Sequence, residues 1–357
     1  MGLNLEEHKP LAPFTTFGIG GAARWFVEAA TEEQIGEATA WARAKMLPLF
    51  VLGGGSNLLV ADAGFDGLVL RIALRGVDVA ASEGHALYRV AAGEDWDGIV
   101  QRTMDDVCAG LECLAGIPGT VGGTPVQNVG AYGQEVSSTI DKVRVFEPDT
   151  GLFVELSAEE CAFGYRISRF NTRDRGRFIV TRVDYRLTPG GVPTVRYAEL
   201  VRFLAGKPTP TLAEVAAAVR SIRAAKGMLL VEGDPDLRSA GSFFKNPIVT
   251  EEQARHVAEV SQKEPPRFAA GEGPEHQGRV KIPAAWLIEQ AGFTKGYRLG
   301  AAGISSRHIL ALVNCGTADG KRSATAAEIL ALAQVIRDAV LDRFGISLEQ
   351  EPVLVGF

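Results

Sequence analysis

Apolar and polar positions alternate along this chain in segments that read as distinct elements. The first helical signal is "TEEQIGEATAWARAK": Thr31 and Gln34 have the spacing of a capping box, and Pro48 ends the segment. "LFVL" (49–52) then reads as a short buried strand, and "LLVADAGFDGLVLRI" as two β-type runs about a glycine turn. "HALYRVAAGEDW" resumes strand character and "WDGIVQRTMDD" is helical. "KVRVFEP", "LFVELSAEE" and "RFIVTRVDYRL" form a β-rich block. A second helix follows at "TLAEVAAAVRSIRAAKG", capped by Thr211 and Glu214, with Leu212, Val215, Val219 and Ile222 on one face.

From about residue 227 the texture changes. "GDPDLRSAGSFFKNPIV" reads as loop into strand, and residues 270–279 as a mobile loop. "KIPAAWLIEQAG" is a helix with Pro283 at its start and Gly292 past its end, and "HILALVNCG" is a strand. "TAAEILALAQVIRDAVLDRFG" is a long helix, capped by Thr325 and Glu328 and stopped by Gly345. "ISLEQEPVLVGF" closes the chain as a strand. From about residue 227 on, the pattern predicts an α+β C-terminal domain, and 357 residues with a 46% hydrophobic content are enough for two or three domains in all.

Two glycine-rich loops interrupt this pattern: "GGGSN" (53–57) and "GIPGTVGGTPVQNVGAYG" (116–133). Neither opens into a helix, so the dinucleotide fingerprint and the P-loop both fail on context. "GTADGKRS" (316–323) fails as a P-loop on spacing, since Arg322 separates Lys321 from Ser323. Either loop alone reads as a plain turn. Together, with the amides of Asn57, Gln127 and Asn128, they suggest a phosphate-bearing cofactor lying over bare backbone.

Net charge changes the picture little. At −6 there is no global basic field to attract nucleic acid or an anionic membrane, so local groups must hold an anionic ligand. Cys108, Cys113, Cys161 and Cys315 form no C-x-x-C pair and no disulfide framework. His8, His85, His256, His276 and His308 are scattered, so no metal site is expected. The N-terminus shows no basic region followed by an apolar one, and no apolar run reaches the ~20 residues of a spanning helix. A cytoplasmic protein is expected.

Three further stretches carry candidate chemistry. "GSFFKNP" (241–247) sets Ser242 beside two phenylalanines; it reads either as a strand with an aromatic core face or as a hydroxyl donating a proton to a basic carbon in a dry site. "FGYRISRFN" (163–171) holds Arg166 and Arg169, either snorkelling over apolar surface or clamping a carboxylate. In the closing strand Glu351 shares parity with Val353 and Val355, which makes it either a solvated strand end or a partly buried acid.

"FTTFGIGG", "LGGGSNLLV", "AGIPGTVGGTPVQNVGAYGQE", "GYRISRFN", "SAGSFFKNP", "KIPAAWLIEQAG" and "LEQEP" occur in that order across nearly the whole chain. In this the sequence resembles the UDP-N-acetylenolpyruvoylglucosamine reductase family, flavoenzymes of the second committed step of bacterial peptidoglycan precursor synthesis. The resemblance implies an α+β protein of three domains: FAD-binding domains of the FAD-linked oxidase type over residues 1–75 and 76–225, and a substrate-binding domain over 226–357 whose last strand returns to the active site. It implies non-covalent FAD, NADPH as co-substrate, and UDP-N-acetylglucosamine enolpyruvate as the molecule reduced, by a monomer.

Family roles fall on Ser242, Arg166 and Glu351 as catalytic residues, and on Gly53, Gly54, Gly55, Ser56, Asn57, Gly122, Gly123, Gln127 and Asn128 around the cofactor. "VRYAEL" (195–200) resembles the loop of the type whose tyrosine covers the substrate, which makes Tyr197 a diphosphate contact. Lys226, Asn246 and Gln290 carry over for substrate or nicotinamide binding, with extra residues ("GMLLVEGDPDLR") between Lys226 and Ser242. Pro352 after Glu351 is a departure from the family pattern; lacking an N–H, it predicts that the strand lies at an edge or ends there. Two rival readings stand beside this one: an FAD-dependent oxidase on a similar scaffold, and a non-catalytic module binding a flavin or a nucleotide sugar.

Overall fold

The computed structural model describes residues 2–82, 84–270, 277–318 and 320–357; most of the loop expected at 270–279 lies outside them. The chain forms two compact units. Unit 1 comprises Met1–Lys9, Ala23–Gly55 and Phe65–Ala225, and unit 2 comprises Pro10–Ala22, Ser56–Gly64 and Lys226–Phe357.

Unit 1 is built on two sheets. One has four strands, in the order Glu6–Pro10, Ala22–Ala29, Phe65–Ile72 and Leu49–Leu52, with the last three parallel. The other is antiparallel and runs Leu152–Ser157, Ile140–Glu147, Ile179–Pro189, His85–Ala91 and Val77–Ser82, with Cys108–Ala109 pairing the far end of the long central strand. Parallel strands need crossover connections, and helix α1 (Glu32–Ala44) supplies one between the second strand and Leu49–Leu52. The Thr31–Gln34 capping box forms at its start as the spacing predicts. Helices α2 (Trp96–Asp105), α3 (Ala198–Phe203) and α4 (Leu212–Ala225) complete the unit. Leu212, Val215, Val219 and Ile222 of α4 join a core with Val143, Val145, Val183, Tyr185 and Trp96. At ~25 cal/mol per Å² of apolar surface, such a side chain contributes roughly 2 kcal/mol when fully buried.

Unit 2 has its own core, made by Phe243, Phe244, Leu287, Ile288, Ile329, Leu332 and Ile336 among others. Its largest sheet is antiparallel: Ser239–Ser242, Ala311–Asn314, Ala302–Ile304 and Arg298–Leu299. A three-stranded sheet orders Ile248–Thr250, Arg279–Lys281 and Phe268–Ala269. Helices α5 (Glu251–Ser261) and α7 (Ala326–Phe344) pack on these strands, and α6 (Ala284–Gln290) packs on α7. The Thr325–Glu328 box starts α7, and Gly345, with φ +66°, ends it.

The closing strand is shorter than the sequence suggests. Only Val353–Val355 is strand, pairing in parallel with Leu58–Val60. Residues 349–351 instead bond to the aromatic segment: the N–H of Lys245 donates to the Glu349 carbonyl at 2.9 Å, and that of Glu351 to the Phe243 carbonyl at 2.8 Å. Beyond Pro352 the N–H of Val353 donates to the Asn57 carbonyl at 2.9 Å. The chain thus changes partners at the one residue without an N–H. Glu351 is half-buried while Val353 is 37% exposed, so parity along a single strand does not explain its burial.

Candidate active site

The glycine run is suspended within unit 1 by backbone bonds to the turn before α2. The Val121 N–H donates to the Glu94 carbonyl at 3.0 Å, Gly122 to Ala92 at 2.8 Å, and the Trp96 N–H to Gly119 at 3.1 Å. Side chains clamp the rest. Asp97 accepts from the Gly116 N–H at 2.6 Å, the buried Arg223 guanidinium donates to the Gly116 carbonyl at 3.1 Å, and the hydroxyls of Thr124 and Tyr185 lie 2.7 Å apart. A loop with its polar groups satisfied this way is held in one shape.

Within this frame the glycines divide by what a side chain would meet. A Cβ on Gly53 would lie 2.8 Å from Thr120 Oγ1, and one on Gly54 would lie 2.6 Å from Gly119 Cα, so the two glycine loops touch backbone to backbone. A Cβ on Gly122 would meet that of Ala92 at 2.7 Å. These three glycines are required by the protein's own packing. Gly123 differs: nothing among the described residues lies within 4 Å of its missing Cβ. Beside it, Thr120 Oγ1 is buried without a hydrogen-bond partner, a cost of about 1–3 kcal/mol unless a bound group satisfies it.

Arg166 and Arg169 have different surroundings. "FGYRISRFN" makes a tight hairpin in which Gly164 and Ile167 exchange both backbone bonds, leaving Arg166 at its tip with φ +58°. Arg169 is spent on structure, donating to Asp174 at 2.7 Å and to the Glu160 carbonyl at 3.1 Å. Arg166, half-buried, donates to the Gly130 carbonyl at 2.9 Å and lies over the Tyr165 ring. A bulky residue in the left-handed region is strained, and such strain gathers at functional sites.

Asn128 and Tyr132 of the glycine run also have positive φ, 45° and 50°. The Asn128 side chain is committed internally, donating to Glu135 at 2.8 Å and to the Gly164 carbonyl at 3.0 Å, and accepting from the Ser137 N–H at 3.1 Å. Gln127 beside it is half-buried. Tyr132 meets Tyr197 edge-on at 5.6 Å, and burial pushes the Tyr132 phenol up to about 12. Tyr197, 46% exposed, stands at the N-terminus of α3 over the end of the run.

In unit 2, Ser242 ends the strand Ser239–Ser242 at a β-bulge, paired with Ala311. Behind it Phe243 and Phe244 are fully buried, fixing the backbone from which the half-buried hydroxyl projects. Its Oγ lies 3.2 Å from His308 Nε2. His308 ends a turn held by Asp236, whose carboxylate accepts from the Ser305 and Ser306 hydroxyls at 2.8 Å each and from Arg307 at 3.1 Å. The Ser305 oxygen in turn accepts from the His308 N–H at 3.0 Å. Asp234 pairs with Arg307 as well. The extra residues after Lys226 therefore carry the two carboxylates that anchor this turn.

The Asn57 amide donates to the Glu351 carbonyl at 3.2 Å, joining Asn57 to the segment that carries the candidate acid, and Thr16 donates to the Ser56 carbonyl at 3.4 Å. Asn246 accepts from the Ala284 N–H at 2.9 Å, satisfying the start of α6 above Pro283. Gln290 is the last residue of α6, and Lys226 is half-buried one residue before Gly227, whose missing Cβ leaves room for Arg307 and Asp236.

His308 and Thr120 are the residues that sequence reasoning missed. Neither stands in a metal-type or nucleophile-type spacing, and only the antiparallel pairing of Ser242 with Ala311 brings the histidine to the serine.

Comparison with known proteins gives these sites a context. Residues 23–157 match the FAD binding domain family, and residues 234–355 match the family described as UDP-N-acetylenolpyruvoylglucosamine reductase, C-terminal domain. The UDP-N-acetylenolpyruvoylglucosamine reductase of Thermobifida fusca is 46% identical over 363 residues, covering 100% of this chain and 99% of its own. That of Streptomyces coelicolor is 47% identical over 358 residues, covering 97% and 89%. The crystal structure of UDP-N-acetylenolpyruvylglucosamine reductase from Thermus caldophilus is similar with a TM-score of 0.65 and 28% identity over 99% of both chains. Matched from end to end by these enzymes, and across both units by domain, the chain belongs to the UDP-N-acetylenolpyruvoylglucosamine reductase family.

Proposed function

We propose that this chain reduces UDP-N-acetylglucosamine enolpyruvate to UDP-N-acetylmuramate with FAD and NADPH, a step of peptidoglycan precursor synthesis. The observation that carries the reading is the 46% identity with a reductase of that name over the entire chain.

The residues of unit 1 fit a flavin nucleotide. Thr120 has an orphaned buried oxygen, and Gly123 presents open backbone beside it. We assign Gly123 and the Thr120 hydroxyl to direct contact with the cofactor. Gly53, Gly54 and Gly122 serve it by letting the two loops close on themselves, with Gly55 continuing the first loop; Ser56 and Asn57, which we also assign to the cofactor, follow it in sequence and belong to unit 2. Asn128 holds the run in shape and Gln127 offers its amide. Bound there, FAD would supply the hydride chemistry that links NADPH to the methylene carbon of the substrate double bond.

The side chains handle charge and the proton. As the methylene carbon is reduced, negative charge develops on the substrate carboxylate as an enolate. Arg166, held in its strained turn, and a protonated Glu351 stabilise that charge. Ser242 then gives its hydroxyl proton to C2: the Oγ–H bond breaks and the C2–H bond forms. Tyr197 covers the diphosphate, and Lys226, Asn246 and Gln290 bind substrate or nicotinamide. We propose the division of labour 1–75 and 76–225 for FAD and 226–357 for substrate, in a cytoplasmic monomer. Four free thiols support a reducing compartment.

The test is steady NADPH consumption by purified protein, with and without the enolpyruvyl nucleotide, and identification of the lactyl ether product. A protein that air reoxidises rapidly after NADPH reduction, without response to the nucleotide, is an oxidase and overturns the reading.

A further inference from the structure

We propose that His308 is a positioning residue for Ser242, donating a hydrogen bond from Nε2 to the serine oxygen so that the hydroxyl hydrogen is left to point at the substrate. This rests on the reading of Ser242 as the proton donor. The two atoms lie 3.2 Å apart, within hydrogen-bond reach, and the direction of the bond depends on which tautomer the ring adopts.

Chemistry selects the direction. A serine that accepts from the ring has its own hydrogen free for a carbon acid–base step; a serine that donates to the ring has its hydrogen turned away and behaves as a nucleophile. Proton donation to C2 therefore requires hydrogen on Nε2. The same N–H then faces the oxygen as it becomes an alkoxide, and a hydrogen bond to a charged oxygen is stronger than one to a neutral hydroxyl. The electron pair of the broken Oγ–H bond stays on oxygen, which regains a proton from solvent water.

The backbone that carries the ring is fixed by a side-chain network. The Asp236 carboxylate accepts from the Ser305 and Ser306 hydroxyls and from Arg307, and Ser305 Oγ accepts from the His308 backbone N–H. From there the chain enters the strand beside Ser242, with the Phe243 N–H donating to the Leu310 carbonyl at 2.7 Å. Both partners of the hydrogen bond are thus held from their backbones. Pre-setting a donor in this way contributes to rate because no reorganisation is needed at the moment of transfer.

The test separates the two half-reactions in the purified holoenzyme by rapid mixing, NADPH first and the enolpyruvyl nucleotide second. His308→Ala should leave flavin reduction near the native rate and slow reoxidation by the nucleotide about a hundredfold, the scale of a lost acid–base contribution. His308→Gln, whose side-chain amide can still donate, should recover most of that rate. The double variant Ser242→Ala/His308→Ala should reoxidise no more slowly than Ser242→Ala alone, because a residue acting through the serine has nothing left to act on. Native reoxidation in His308→Ala, or losses that multiply in the double variant, would overturn the proposal. If Ser242→Ala itself reoxidises at the native rate, the proton-donor reading has failed and not merely the role of His308. Flavin bound to each purified variant reports that unit 1 remains folded.

Discussion

Gly54 packs on Gly119 so closely that a single added methyl group would sit 2.6 Å from the facing Cα. Both atoms belong to backbone, which cannot swing aside as a side-chain tip can. Gly54→Ala is expected to lower the unfolding free energy by roughly 1–3 kcal/mol, the range for overpacking. Gly123→Ala is expected to leave it nearly unchanged, since the space beside Gly123 is open. Thermal melts of the two apo variants test the difference. If Gly123 faces the cofactor, its alanine variant should nevertheless bind FAD at least ~10-fold more weakly, a change of about 1.4 kcal/mol. Unchanged FAD affinity in Gly123→Ala would remove that glycine from the cofactor site.

Ser242→Ala is expected to keep flavin reduction by NADPH and lose ~100-fold or more in reoxidation by the enolpyruvyl nucleotide. The hydroxyl lies on a backbone fixed by two buried phenylalanines, so its removal should not disturb the fold. Equal loss in both half-reactions would mean that Ser242 is not the acid.

Arg166 should separate strain from chemistry. At φ +58° an alanine retains the left-handed penalty while a glycine escapes it. Arg166→Gly is therefore expected to be about 1 kcal/mol more stable than Arg166→Ala, with both equally impaired in turnover and both still yellow. Denaturant midpoints and flavin absorbance measure the two halves of this prediction. Loss of bound FAD in both variants would assign Arg166 a structural role.

Acid should loosen the turn that carries His308. The hydrogen bond from Arg307 holds the Asp234 carboxyl below the ordinary carboxylate range. For Asp236 burial acts in the opposite direction, but bonds from Ser306, Ser305 and Arg307 outweigh it and the carboxyl is again lowered. A carboxylate depressed in the folded state contributes its full stability above the unfolded value, about 4. That contribution is lost as pH falls through the folded value. Unfolding free energy measured in urea should therefore fall below about pH 4 more steeply in the wild type than in Asp236→Asn. At neutral pH the variant should be the weaker by roughly 1–3 kcal/mol, because a buried network loses an acceptor. Parallel pH profiles would count against these carboxylates as the anchor.

Much of the local structure is written in short range. The capping boxes at Thr31, Thr211 and Thr325 form where their spacing says. The box at Thr250 and Gln253, which starts α5, has the same spacing. The strands Glu6–Pro10 and Ala22–Ala29 carry only weak alternation. These are signals within reach of four to eight residues, so side chains and backbone of one segment settle them.

By itself the sequence determined the capped helices, the β-rich block, the need for bare backbone in two loops, and, through ordered motifs, the family. Residue type alone left Arg166 and Arg169 equivalent until the resemblance singled out Arg166, treated Gly122 and Gly123 alike, and gave His308 no role. Tertiary structure decided each of these. Arg169 is consumed by Asp174 and Glu160, Gly122 by Ala92, and His308 is brought to a serine 66 positions away by one antiparallel strand pair. The physical reason is that a residue type states what a group can do, whereas burial, pairing register and the partners already bound determine which groups remain able to do it.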